Sequence, residues 1–299
     1  MALAKSGAKP KIAWGKVLFY VCIVAIPVIQ FAIFYIGVNI NSIILAFQQW
    51  DGITEKYEWG VGNFIKVVTD LFTDPKLIVS MKNSLLLFVV GVLVGSTLAL
   101  LFSYYIYKKH FGYGFFKIIL FLPNVVSSVT LAIMLRYFTT EASKAIIGIE
   151  LLTHTNTKLA TFIFMSVMLS FGVQTLIFSG AMSGISESVT EAAVLDGITP
   201  IKELFLIDIP MIFPTISVFI VSSIAQIFLN QMNVFNMYGA GAPDINIYTI
   251  GYWMYANVLN ALSTEYPYYS AFGLVLTFIT IPVAFLTKYL LDKCGPSVD

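Results

Sequence analysis

Ser222, Gln226, Asn230 and Asn233 recur at intervals of four, four and three residues, with Gln231 and Asn236 close by and Gln174 alone in an earlier apolar run. On a continuous helix this spacing puts the first four on one face. Amides and hydroxyls both donate and accept hydrogen bonds, so a cavity lined by them suits an uncharged, hydroxyl-rich ligand. Phe228, Phe235 and Tyr238 add aromatic faces able to stack on sugar rings. The same stripe could serve as glue between helices, at about 0.6–2 kcal/mol per hydrogen bond, but four such groups on one helix exceed that need. Gln174, Gln226, Asn230, Asn233, Asn236 and Tyr238 are therefore the candidate ligand-pathway residues.

Other chemistries lack their residues. There is no G-x-x-x-x-G-K-[ST] to cradle phosphates and no H-E-x-x-H. The two histidines, His110 and His154, are expected on opposite sides of a membrane, and no Ser-His-Asp set can be assembled. Cys22 and Cys294 form neither a metal-ligand cluster nor a disulfide framework. No catalytic residue, no metal site and no cofactor on this chain are expected. The long apolar runs lack Asp and Glu, whereas carriers coupled to protons or sodium place such groups within the membrane. A pathway through these runs would be uncharged, and any energy to drive it would come from elsewhere.

A polar segment between two apolar runs, from about 180 to 210, is the second feature. Ser188 and Glu191 have capping-box spacing, which predicts a helix from Val189 through Ala192, Ala193, Val194 and Leu195. Gly197 suits a left-handed stop. Thr199 and Pro200 suit the N-cap and first position of a second short helix. An exposed Ala192-Ala193 face would let another protein approach closely. Glu191-Ala192-Ala193, then Gly197, then Ile207-Asp208-Ile209-Pro210 resembles the E-A-A…G…I-x-L-P loop of ABC importer permeases, with Ile209 in the leucine place and Ile198 where many sugar-type members have Ala. The resemblance implies a cytoplasmic coupling helix that sits in a cleft of an ATP-hydrolysing subunit. In it Glu191 would cap the helix and contact the ATPase, Ala192 and Ala193 would give close approach, Gly197 would make the turn, and Asp196 would belong to the same contact. Two further stretches resemble sugar-type permeases, the first in a position typical of the subunit that pairs with a second permease and the second before a loop that in the family faces the binding protein. Gly60-Val61-Gly62-Asn63-Phe64, with Val67 and Asp70, is followed by Asn83-Ser84, and a Gly239–Pro243 break follows later.

The composition agrees with a membrane protein. Of 299 residues 58% are hydrophobic and 11% charged, with a formal net charge of +1 that gives no reason to expect nucleic-acid binding. Six continuous apolar runs are long enough to cross a bilayer: Val17–Phe47, Ser84–Tyr107, Phe115–Tyr137, Leu159–Ser179, Met211–Asn236 and Tyr268–Leu290. The first is too long for a signal peptide and reads as a retained helix. Lys5, Lys9, Lys11, Lys16, Lys108, Lys109, Lys117, Lys288 and Lys293 fall on alternate ends of the runs, which puts both termini (1–16 and 291–299) and the Glu191 loop inside. On the outer side Phe64, Val67, Val68 and Leu71 predict a short amphipathic helix. Pro27, Pro123, Pro214 and Pro282 predict bends or packing kinks.

These readings combine into one all-α membrane domain over 1–299, with six transmembrane helices and a coupling loop between helices four and five. The resemblance implies a permease subunit of an ATP-driven sugar or oligosaccharide importer in the cell membrane. Its expected partners are a second permease, two ATP-binding subunits carrying ATP and Mg, and an extracytoplasmic substrate-binding protein. The alternatives are an importer of another uncharged solute and a self-sufficient carrier or channel.

Overall fold

The computed structural model describes residues 14–152 and 155–296. Lys5, Lys9, Lys11, His154 and the last three residues lie outside them, so the expectations placed on those side chains do too. The described chain is helical apart from one small hairpin. Four helices are long and apolar enough to cross a membrane: Phe19–Ala46, Pro75–Tyr107, Thr157–Met182 and Ser263–Cys294. Two bent pairs, Tyr113–Val125 with Val129–Ile147 and Pro200–Met211 with Phe213–Ala225, bring the number to six if each is one span. A helix satisfies its backbone internally, which hydrocarbon demands. The side chains can then be apolar all round, as the exposed Phe19, Ile26, Ile33 and Phe34 of the first helix are.

Two expected continuous spans are broken. The third bends by 108° after Val125, where Val126 is extended and Ser127 starts a new helix. In the fifth, the helix Phe213–Ala225 stops at Gln226, and residues 226–233 run as turns before the short helix Val234–Tyr238. The fifth span also bends by 69° at its start. Pro214, placed among the possible kinks, sits in the first turn of Phe213–Ala225. It has no N–H to offer the Pro210 carbonyl one turn back, so it marks the bend rather than kinking a helix interior.

The amphipathic helix predicted near Phe64 is present as Gly62–Thr73, with Val67 fully buried. Before it lies an antiparallel hairpin, Gln48–Asp51 paired with Lys56–Trp59, which the apolar pattern did not reveal. The Asp51 carboxylate closes its turn by accepting from the Ile53 and Thr54 N–H groups and the Thr54 hydroxyl. Tyr268, at the start of the last long helix, donates to Asp70 at 2.7 Å, and Tyr57 donates to the Ser263 carbonyl at 3.0 Å. Both ties hold this end piece against the bundle.

The core has three centres. One surrounds Phe162, Met232 and Tyr252; a second joins Ala46, Leu77, Ile250 and Phe272; a third joins Ala99, Phe178, Met182, Leu204 and Ile212. Gly172 lets two helices touch, since a Cβ there would overlap the Leu120 carbonyl.

Candidate translocation cavity and docking loop

The break at 226–233 builds one wall of a cavity of about 350 Å³. This lies at the lower end of small-molecule sites, which run from about 300 to 1,000 Å³. Its polar lining comes from three elements: Ser84 on Pro75–Tyr107, Ser166, Ser170 and Gln174 on Thr157–Met182, and Ser223, Gln226 and Asn230 from the fifth span. No lining residue is charged. Gln174 and Ser166 are the most telling members, because Gln174 Oε1 and Ser166 Oγ are buried and make no hydrogen bond within the chain. Buried polar atoms normally find partners, so these two mark where the wall leaves hydrogen-bonding capacity unused.

The predicted stripe on one helix face is corrected. Ser222 to Asn233 do not share a helix, because the chain leaves helical geometry at Gln226. The physical reason is an alternative set of backbone partners. Asn230 Oδ1 accepts from the Met232 N–H at 2.8 Å, and Met232 and Asn233 take left-handed φ values of 49° and 59°. The Thr249 hydroxyl donates to the Asn230 carbonyl at 2.7 Å. A Cβ on Gly251 would lie 2.6 Å from the Leu229 carbonyl. The amides thus form the turn as well as facing the cavity.

Gln174, Gln226 and Asn230 meet at the cavity; Asn233, Asn236 and Tyr238 sit elsewhere. Asn236 donates to Asn233 Oδ1 at 3.1 Å, and the Tyr238 ring lies under the Arg136 guanidinium at 5.5 Å. Ser166, Ser170 and Ser223 escaped the sequence reading, and Ser84 entered it only through Asn83-Ser84; the polar residues spaced by four at 166, 170 and 174 were the available signal. The expected Gly239–Pro243 break is held by tyrosines. Tyr252 Oη accepts from the Ala242 N–H and donates to the Gly239 carbonyl, while Tyr248 donates to the Ala242 carbonyl. Asn83-Ser84 anchors the following segment: Asn83 donates to the Asn246 and Tyr248 carbonyls, and Ser84 Oγ accepts from the Ile250 N–H.

The loop after Thr157–Met182 contains the helix Glu187–Leu195 and the shorter Pro200–Glu203. Gly197 has φ +72°, the Ile198 N–H donates to the Ala193 carbonyl and the Gly197 N–H to the Val194 carbonyl. Together these make a Schellman stop. Thr199 and Pro200 start the second helix as read from sequence. Three details differ. The first helix begins at Glu187 after Ser186, so Ser188 and Glu191 form no capping box and Glu191 lies exposed within the helix. Ala193 is buried rather than presented. The exposed face is bulkier and more apolar: Leu195 is 88% exposed, and Val194, Ile201 and Phe205 join it beside Ala192. The cause is that the helix must itself be pinned, and small Ala193 is the side that packs.

Behind this face lies a charged cluster. Glu203 pairs with Lys108 at 2.5 Å and accepts from Tyr104 at 3.2 Å. The Lys108 ammonium stands over the Tyr104 and Tyr107 rings. Asp208 is fully buried and neither carboxylate oxygen has a hydrogen-bond partner. Burial first, and the Glu203 carboxylate second, push its pKa up to about 6, against an opposing pull from Lys108.

The family of binding-protein-dependent transport system inner membrane components matches residues 88–298. The chain belongs to this family. It is a permease component of a membrane transport system, not an enzyme. It is 22% identical over 277 residues to a multiple sugar-binding transport system permease protein, MsmF, of Streptococcus mutans, covering 90% of this chain and 93% of the relative. It is 24% identical over 278 residues to the lactose transport system permease LacF of Rhizobium radiobacter, covering 89% and 91%. The sn-glycerol-3-phosphate transport system permease UgpA of Shigella dysenteriae is 26% identical over 236 residues, covering 74% and 76%. A bacterial ABC transporter that imports the acidic polysaccharide alginate shares the fold, with a TM-score of 0.75 at 19% identity over 94% of this chain and 98% of that one.

Proposed function

We propose that the chain is the permease subunit of an ATP-driven importer of a sugar or oligosaccharide, and that its own cavity holds part of the ligand on the way through. The observation that carries this is the neutral polar lining of serines and amides, with no charge in the wall. Such a wall favours hydroxyls over phosphates or carboxylates, which would call for basic groups. Two of the relatives above carry sugars in their names, in line with the same choice.

In this reading six segments span the membrane, with both termini and the loop of about 180–210 in the cytoplasm. The apolar face of Val194, Leu195 and Ile201, with Glu191 and Asp196 at its margins, docks on an ATP-binding subunit. ATP and Mg bind there and not on this chain. A second permease completes the pathway, two ATPase subunits drive it, and an extracytoplasmic binding protein delivers the ligand. A neighbouring solved structure holds an alginate ABC transporter in complex with an alginate pentasaccharide-bound periplasmic protein, which supports the binding protein as a partner.

Uptake in proteoliposomes tests the ligand class. With the matching binding protein, a neutral oligosaccharide should be taken up and its phosphorylated or uronic-acid counterpart refused. Preferred uptake of the anion would overturn the proposal.

A further inference from the structure

The Lys108 cluster is not explained by docking or by the cavity. Lys108 closes the long helix Pro75–Tyr107, whereas Glu203 and Asp208 both belong to the Pro200–Met211 segment behind the docking face. Two buried acids therefore face one cation across the contact between two segments. Only Glu203 is paired. A buried acid without a partner is costly to hold, so a second arrangement in which Asp208 is paired would relieve that cost.

The backbone supplies a route to that arrangement. Residues five apart on an α-helix lie on different faces. Here Leu204–Asp208 is a π turn, closed by the Ile209 N–H donating to the Leu204 carbonyl, and its extra residue brings Asp208 round toward Glu203. Relaxing that turn to α geometry would rotate one acid away and the other in. Lysine suits such a site, as a point charge on a flexible stem with three rotatable donors; arginine's rigid fork would favour one partner.

We propose that Lys108 is shared between Glu203, its partner in the conformation described, and Asp208, its partner in the opposite one, and that this exchange passes the movement of the docking loop into Pro75–Tyr107. The inference rests on the reading of the loop as an ATPase-docking element. Lys108, Glu203 and Asp208 are positioning residues: none of them touches the cavity. An element with two discrete arrangements is what coupling between distant sites requires.

The test uses the whole importer complex in nanodiscs, with Cys22→Ser and Cys294→Ser and spin labels on Ser186→Cys and Phe111→Cys, two exposed positions, one at the start of the loop helix and away from the docking face, the other beside Lys108. The inter-label distance is measured with and without an ATP analogue. The wild type should visit two distances. Asp208→Asn leaves Lys108 only Glu203, and Glu203→Gln leaves it only Asp208, so each variant should hold one distance in both conditions, and not the same one. Asp208→Glu should restore both. If both variants visit both distances, or both hold the same one, the exchange is wrong while the docking reading stands. If the wild type binds no ATPase at all, the docking reading falls and the exchange falls with it, having no motion to pass on.

Discussion

The stop at Gly197 and the break at 226–233 both end a helix, and they are built in opposite ways. At Gly197 every partner lies within five residues: a left-handed glycine and two N–H groups turned back on Ala193 and Val194. At 226–233 the decisive partners lie about twenty residues on, in Thr249 and Gly251. A turn with local partners keeps its shape as neighbouring parts move, which suits a docking element. A turn held by tertiary contacts changes with its surroundings, which suits a cavity wall.

Substitution can break this contrast. The largest effect is expected at Gly197. Gly197→Val meets no side chain, since nothing lies within 4 Å, but it must adopt φ +72°, which costs about 1–2 kcal/mol for a residue with a Cβ. Membrane insertion and the cavity should survive while transport is lost; normal uptake by a chain of normal abundance would remove the loop from the mechanism. Next comes Gly251→Val, whose Cβ would press on the Leu229 and Asn230 carbonyls. It should abolish ligand-dependent stimulation and lower the melting midpoint well beyond the few degrees that about 1–2 kcal/mol of strain gives Gly197→Val. Equal midpoints in the two variants would erase the distinction between local and tertiary turns.

A smaller effect separates the charged joint from the neutral cavity. Folding raises the Asp208 pKa from 3.8 to about 6, so the folded chain holds this proton more tightly than the unfolded one. The cost of the buried carboxylate is therefore fully present above about pH 6, and it is relieved as pH falls through 6 toward 3.8. The groups facing it are Glu203 on its own segment and Lys108 opposite, with Tyr104 and Tyr107 around that ammonium. Asp208→Asn should raise the melting midpoint at pH 7.5, by an amount corresponding to at most about 3 kcal/mol, since each tenfold change in proton affinity is worth about 1.4 kcal/mol. The gain should disappear near pH 4. A gain independent of pH would mean the carboxyl is not the source. The smallest change is Gln174→Leu, which removes one neutral hydrogen-bond partner and should weaken half-saturation by about five- to tenfold, as about 1 kcal/mol implies. Unchanged half-saturation would move the ligand away from Gln174.

The same contrast governs what could be read without coordinates. The apolar runs, the helix at Gly62–Thr73, the Gly197 stop and the Thr199-Pro200 start were legible because each depends on residues next to one another in sequence. The break in the fifth span was not, because the apolar run through Phe228 and Leu229 continues across it, with neither Gly nor Pro to mark the end. Of the candidate pathway residues, Gln174 was found alone on a helix that does exist, whereas Gln226 and Asn230 were found for the right polarity but on a helix face that does not; Ser166, Ser170 and Ser223 were missed because they are ordinary in an apolar run. Ala193 shows the same limit: E-A-A marks the element, and only packing tells which alanine turns inward.

The most direct test of the central claim is ATP hydrolysis by the assembled importer in lipid nanodiscs, with wild-type chain and with Gly197→Val, as a loaded sugar-binding protein is added. The account predicts strong stimulation by one sugar-loaded binding protein in the wild type and none in the variant, with both chains present in equal amount. Equal stimulation of both, or an ATPase that never associates with the wild-type chain, would contradict it.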